Sequence, residues 1–137
     1  MKDILQDIVT HTHSLGFLST VKVTGEELAT TIEAMAEDRS VILNAKTHAP
    51  VNEFSGVFGM PNLDKLALHL KNPEYKENAK LSLSRRAGGE PDGIKFENAA
   101  GDFQNNYRFM AEAIVTEKLK TPKFKGVNWH IEFEPTV

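Results

Sequence analysis

Histidines, serines, glycines and lysines carry whatever chemistry this chain could do, and the spacing of each group decides what is possible. His11-Thr12-His13 sets two imidazoles at i and i+2. On a helix these point about 200° apart and cannot grip one ion, so no metal site is expected there. His48 and His69 fall in different elements with no spaced carboxylate–histidine motif around them. They read as surface or boundary histidines, not catalytic bases. Ser82 and Ser84 lie along a strand pattern without the Gly-x-Ser-x-Gly elbow that exposes a nucleophile. Gly56 and Gly59 precede a helix, but neither phosphate-cradling spacing, Gly-x-x-x-x-Gly-Lys-Ser/Thr or Gly-x-Gly-x-x-Gly, is present, and no βαβ unit surrounds them. Tight packing of strand on helix explains both glycines. The absence of cysteine removes disulfides, thiol catalysis and cysteine-built zinc or iron–sulfur sites.

What remains is a mildly basic surface on Asn62–Lys71. Lys65, His69 and Lys71 stand against one acid, Asp64, opposite Leu63, Leu66, Ala67 and Leu70. The apolar recurrence at i, i+3, i+4, i+7 predicts an amphipathic helix. Pro61 or Asn62 starts it, with the Asn62 side-chain oxygen as cap, and Lys71-Asn72-Pro73 ends it. A charged outer face is what solubility alone produces, so it is by itself a weak sign of nucleic acid. The first helix does not strengthen it, since Asp3 and Asp7 stand beside Lys2 and His13.

The elements that must position these residues belong to a chain of 137 residues, the size of one domain with a real core. Its 40% apolar and 26% charged residues are those of an ordinary globular protein. No stretch approaches the roughly 20 apolar residues of a membrane helix, and the start lacks a signal peptide's apolar segment. A cytoplasmic location, with no membrane partner, is the expectation. The net charge of −3 argues against indiscriminate coating with nucleic acid but permits contact through a local patch, because exposed charges are screened beyond about 8–10 Å.

Lys2–Ser14 reads as a first helix stopped by Gly16. Phe17–Val23 alternates as a strand. For Glu26–Ala36, Thr24-Gly25-Glu26-Glu27 has the form of a capping box and favours helix. The alternation of Thr30–Met35 before a turn and the strand Val41–Lys46 favours a hairpin instead, and pattern leaves both open. Phe54–Gly59 is a strand running into the helix of Asn62–Lys71, and Lys71–Ala79 is a polar loop. Lys80–Ser84, Gly93–Glu97 with Ile94 and Phe96 inward, and Phe103–Phe109 form a three-strand meander around turn chemistry at Gly88–Gly93 and Asn98–Asp102. Met110–Lys125 is a short helix or an extended connector. Val127, Trp129, Ile131 and Phe133 alternate in a strand with nothing after it to pair with, which reads as a chain cut short of a second domain.

This order of elements resembles the DNA polymerase sliding clamps of T-even-type bacteriophages. The resemblance rests on the strand-into-helix run Val57-Phe58-Gly59-Met60-Pro61-Asn62-Leu63-Asp64-Lys65-Leu66, the loop to Lys80-Leu81-Ser82-Leu83, and the pair Asp92-Gly93-Ile94-Lys95-Phe96 with Phe103–Phe109. It covers residues 1–110 as one clamp-like domain, with 111–137 as a connector and the first strand of a second. The resemblance implies an α+β, DNA-clamp-like fold of two helices packed on an antiparallel sheet, and a homo-oligomeric ring around nonspecifically bound duplex DNA. It implies DNA polymerase and a clamp loader as partners, no cofactor, no metal and no catalysis, in the cytoplasm of an infected host. Carried over by position, Lys65, His69 and Lys71 face the DNA, with Lys2 and Lys76 beside them. The same resemblance moves Leu28–Met35 to strand.

Two other readings fit the pattern. A non-clamp α+β binding or assembly module would pair through a sheet edge, at Phe103–Phe109 or Val127–Phe133. A small enzyme would need polar residues that converge only in three dimensions.

Overall fold

Val21 and Val23 alternate with Lys22 and Thr24, and in the computed structural model, which describes residues 2–119, this alternation becomes an inner strand of an antiparallel sheet. The strands are β1 (Val21–Gly25), β2 (Thr30–Met35), β3 (Ile42–Lys46) and β4 (Gly56–Met60), in the order β3-β2-β1-β4. Register places Val21 opposite Ala34 and Met60, and Val23 opposite Ile32 and Phe58. All six are buried and share one face. The other face carries Lys22, Glu33 and Asn44 in one row, as expected of a sheet wet on one side.

Two expectations in this sheet need correction. The strand expected from Phe17 begins only at Val21, because the period of two breaks where Thr20 and Val21 are both buried; Phe17 stays 47% exposed. The helix that local rules favour over Glu26–Ala36 does not form. Glu26 N donates to the Ala29 carbonyl at 2.8 Å, closing a hairpin turn that leaves Leu28 87% exposed. Pairing β2 between β1 and β3 buries Ile32 and Ala34, and this tertiary gain outweighs a capping box.

The buried face is covered by α1 (Lys2–His11) and α2 (Leu63–Lys71). α1 is shorter than Lys2–Ser14, giving way to a 3-10 turn at His13–Leu15 before Gly16. Leu5, Ile8 and Val9 point inward from α1, as do Leu63, Leu66, Ala67 and Leu70 from α2. Asn62 precedes α2 in the left-handed region, φ 49°, and its side chain does not cap. The Leu63 amide is accepted instead by the Ser19 carbonyl, at 3.1 Å. A tertiary contact thus replaces the expected local one, and it ties the start of α2 to the chain leaving α1.

The meander forms a second sheet, β5 (Lys80–Arg85), β6 (Pro91–Glu97) and β7 (Gln104–Arg108), in sequential order. Ile94 and Phe96 face inward, as their alternation predicts. The polar loop expected over Lys71–Ala79 contains a 3-10 turn, Pro73–Tyr75, started by Asn72, whose side chain accepts from Glu74 N. Its last residue, Tyr75, is fully buried between the rings of Phe96 and Phe103. After β7, part of the stretch left open between helix and connector, Glu112–Lys118, forms α3, and residues 120–125 lie outside the described ones. The fold is α+β, with three helices and two antiparallel sheets among the described residues. The strand expected at Val127–Phe133 lies outside them.

The two glycines flagged before α2 have different roles. Gly59 lets α3 approach the outer face of β4: a Cβ there would lie 2.6 Å from Val115 Cγ2. The helix it accommodates is therefore α3 and not α2. Gly56 supplies a backbone conformation, φ 107°, where the chain enters β4.

Candidate nucleic-acid interface

The outward faces of α1 and α2 form the surface on which the basic residues were expected. The helices run antiparallel, since the first residue of α1 bonds to the 3-10 turn just beyond the end of α2: Lys2 Nζ donates to the Tyr75 carbonyl at 2.7 Å. This gathers Lys2, Lys71 and Lys76 near one end of the helix pair. Lys65 stands six residues before Lys71, about 9 Å along the axis at 1.5 Å per residue.

Each basic group has its own surroundings. Lys65, Lys71 and Lys76 are exposed. The two ion pairs found among the described residues both involve Arg86, with Glu90 and Asp92, so none of these lysines is neutralised by a close carboxylate there. Lys2 is half-buried and holds α1 to the Pro73–Tyr75 turn, so its charge is committed to structure. His69 is half-buried with its ring 5.2 Å from that of Phe96. Burial holds its imidazole below the ordinary histidine range. At neutral pH it is an uncharged flank of the face and not a cation.

At about 100° per residue, the direction opposite the buried stripe of α2 falls between Lys65 and Leu68. Leu68 is 68% exposed. It sits at the centre of the face, and the sequence pattern already contained it: an apolar residue out of phase with Leu63, Leu66 and Leu70. Lys65 and Lys71 lie on either side of it. On α1, Asp3 and Asp7 are exposed, and Asp64 is exposed in the first turn of α2. Three carboxylates therefore share the helical side with Lys2, Lys65 and Lys71, and the face is close to electrically balanced.

Sequence reasoning missed what holds this surface in place. Tyr107 OH donates to the Pro61 carbonyl, fixing β7 to the entry of α2. Burial first, and the Asp64 carboxylate second, raise its phenol far above the usual value. Arg85 donates to the Ser55 carbonyl and Oγ and to the Glu53 carbonyl, fastening the loop before β4 to β5. One tyrosine and one arginine in alternating strands gave no sign of these partners.

The remaining candidates stay apart. His11 closes α1 with its Nδ1 bonded to the Asp7 carbonyl at 2.7 Å, His13 lies in the 3-10 turn, and His48 lies in the loop after β3. Among the described residues no three His, Cys, Asp or Glu side chains gather in an arrangement that could hold a metal. No helix of the described residues is long and apolar enough to cross a membrane. Compared with protein-family models and with curated proteins, the chain matches none.

Proposed function

We propose that the chain is a subunit of a DNA sliding clamp of the T-even-type phage kind, a ring that encircles duplex DNA and tethers the replicative polymerase without catalysis in the infected host's cytoplasm. One observation carries this reading: two antiparallel helices stand side by side on one face of an antiparallel sheet, with Lys65 and Lys71 exposed on their outward side. A ring holds DNA by being closed, so its contacts need only be weak and mobile. Flexible lysines on a nearly balanced face attract phosphate without fixed register, whereas base recognition requires bidentate contacts that would arrest sliding. Lys2 and Lys76 flank this wall, and His69 contributes shape.

The test is topological retention. The protein is incubated with nicked circular duplex at low salt, the DNA is isolated by gel filtration, and half is then cut once. Retention on the circle with release on cutting supports a ring. Equal retention on both forms overturns it.

A further inference from the structure

Among the described residues β3 is the outermost strand of its sheet and pairs only with β2. Bonds from Ala36 N to the Val41 carbonyl and from Thr47 N to the Thr30 carbonyl set the parity of that ladder. In an antiparallel pair, successive residues turn their N–H and C=O groups alternately toward and away from the partner. Val41, Leu43, Ala45 and Thr47 therefore bond to β2, while Ile42, Asn44 and Lys46 present theirs to the free edge. We propose that this edge is a two-fold docking surface for a second copy of the chain, β3 against β3 in antiparallel register centred on Asn44.

Three features make the edge self-complementary. In that register Ile42 opposes Lys46 of the second copy and Asn44 opposes its own counterpart, so every outward-turned residue meets another and the ladder closes across the dyad. Charge agrees with the antiparallel sense. Lys46 and His48 lie at one end of β3, and the exposed turn at the other end holds Glu37 and Asp38 against Arg39, so the basic end of each strand approaches the acidic turn of the other. The third feature is apolar. A groove of about 1050 Å³ runs along the same edge, lined by Ile4, Ile8, Leu15, Ile32, Leu43 and Ala45 among others. Leu15 is 51% exposed in it. Across the dyad Leu43 faces Ala45 of the second copy, and the two grooves join into one seam that takes Leu15 and Ile4 out of water.

The loop wall of the groove is held for this purpose by buried Thr30, whose Oγ1 accepts from Val51 N at 2.9 Å. The dimer does not depend on the clamp reading, and each can fail alone.

Sedimentation equilibrium of the full chain, with crosslinking of Asn44→Cys by a short bismaleimide, tests the proposal. The chain has no other cysteine. A concentration-dependent monomer–dimer equilibrium and a dimer-only crosslink are expected. Asn44→Pro should abolish the dimer and leave the thermal midpoint of the monomer in place, because the amide it removes faces the free edge and not β2. Ala45→Glu, at an exposed groove position, should also weaken the dimer at least tenfold. A chain that stays monomeric overturns the proposal. A dimer unaffected by both substitutions overturns it too, as does a larger assembly that survives Asn44→Pro; that last result leaves a ring standing.

Discussion

Gly59 and Met110 exchange both of their backbone hydrogen bonds, at 2.8 and 2.7 Å, and this isolated bridge stitches the edge of β4 to the chain leaving β7. The same glycine faces Val115 of α3, which is fully buried on it. One residue thus joins the two sheets through its backbone and seats a helix through its missing side chain. Gly59→Ala should destabilise the protein by about 1–3 kcal/mol, the usual cost of overpacking, because Val115 is β-branched and cannot swing away. Val115→Ala alone should cost on the order of 1–2 kcal/mol. Together they should cost somewhat less than the sum, since truncation removes Val115 Cγ2, the nearest atom, while its Cβ stays 2.8 Å from the new methyl. Urea unfolding of the four proteins measures the coupling, and strict additivity would rule out the contact.

Tyr107 predicts the alkaline limb of the stability curve. Its phenol ionises far less readily in the folded state, where it is buried and donates to the Pro61 carbonyl. The unfolded chain releases the proton near pH 10 and the folded chain holds it, so folding binds more protons above that point. The contribution is fully present below about pH 10 and falls by about 1.4 kcal/mol per pH unit as pH rises from there toward the folded value. Tyr107→Phe should be less stable than the parent at pH 7 by about 0.5–1.5 kcal/mol, for one lost hydrogen bond, and should decline more gently in alkali. Denaturant midpoints from pH 8 to 11 would show the curves converging; parallel curves would contradict the assignment.

Lys2 and Lys71, near each other at one end of the helix pair, should separate stability from DNA contact. Lys2 Nζ anchors α1 to the Tyr75 carbonyl, whereas Lys71 is exposed with no ion pair among the described residues. Lys2→Met should cost about 0.5–1 kcal/mol, less than a fully buried charged donor because the ammonium is partly in water. Lys71→Met should stay within about 0.5 kcal/mol of the parent, as surface substitutions do. Thermal denaturation at one pH compares them, and equal losses would count against a special role for the Lys2 bond.

The elements of the fold were legible where one local period dominated. Leu63, Leu66, Ala67 and Leu70 announced α2, and Ile94 and Phe96 announced the inner face of β6. They were misleading where two rules competed. Thr24-Gly25-Glu26-Glu27 offers a helix cap that only the neighbouring strands override. Asn62 is a good capping residue by type, yet Ser19, far back in the chain, satisfies the Leu63 amide. The site was legible only as composition. That Lys65 and Lys71 are exposed follows from helical phase, but the commitment of Lys2 to Tyr75 and the resting of His69 on Phe96 depend on contacts spanning the chain.

The decisive electrostatic prediction concerns Lys65, Lys71 and His69 together. In the clamp reading the two lysines supply screened attraction to phosphate, and each such contact adds about one to the slope of log affinity against log salt. Lys65→Glu with Lys71→Glu should therefore lower that slope by about two and weaken DNA association, with circular dichroism unchanged, since both side chains are exposed. His69→Gln should leave the slope unaltered at pH 7, because burial against Phe96 keeps the imidazole below its ordinary pKa and uncharged. The same depression fixes the sign of its effect on folding. The stability it contributes is present above about pH 6.5 and is lost as pH falls through the lower folded value, as the unfolded chain takes up the proton first. His69→Gln should thus flatten the acid limb of the stability curve while leaving DNA affinity at pH 7 untouched. Salt titrations of a labelled duplex, run beside acid unfolding, check both halves. A double lysine variant with the parent's salt slope would rule out Lys65 and Lys71 as phosphate contacts, whether or not the chain forms a ring.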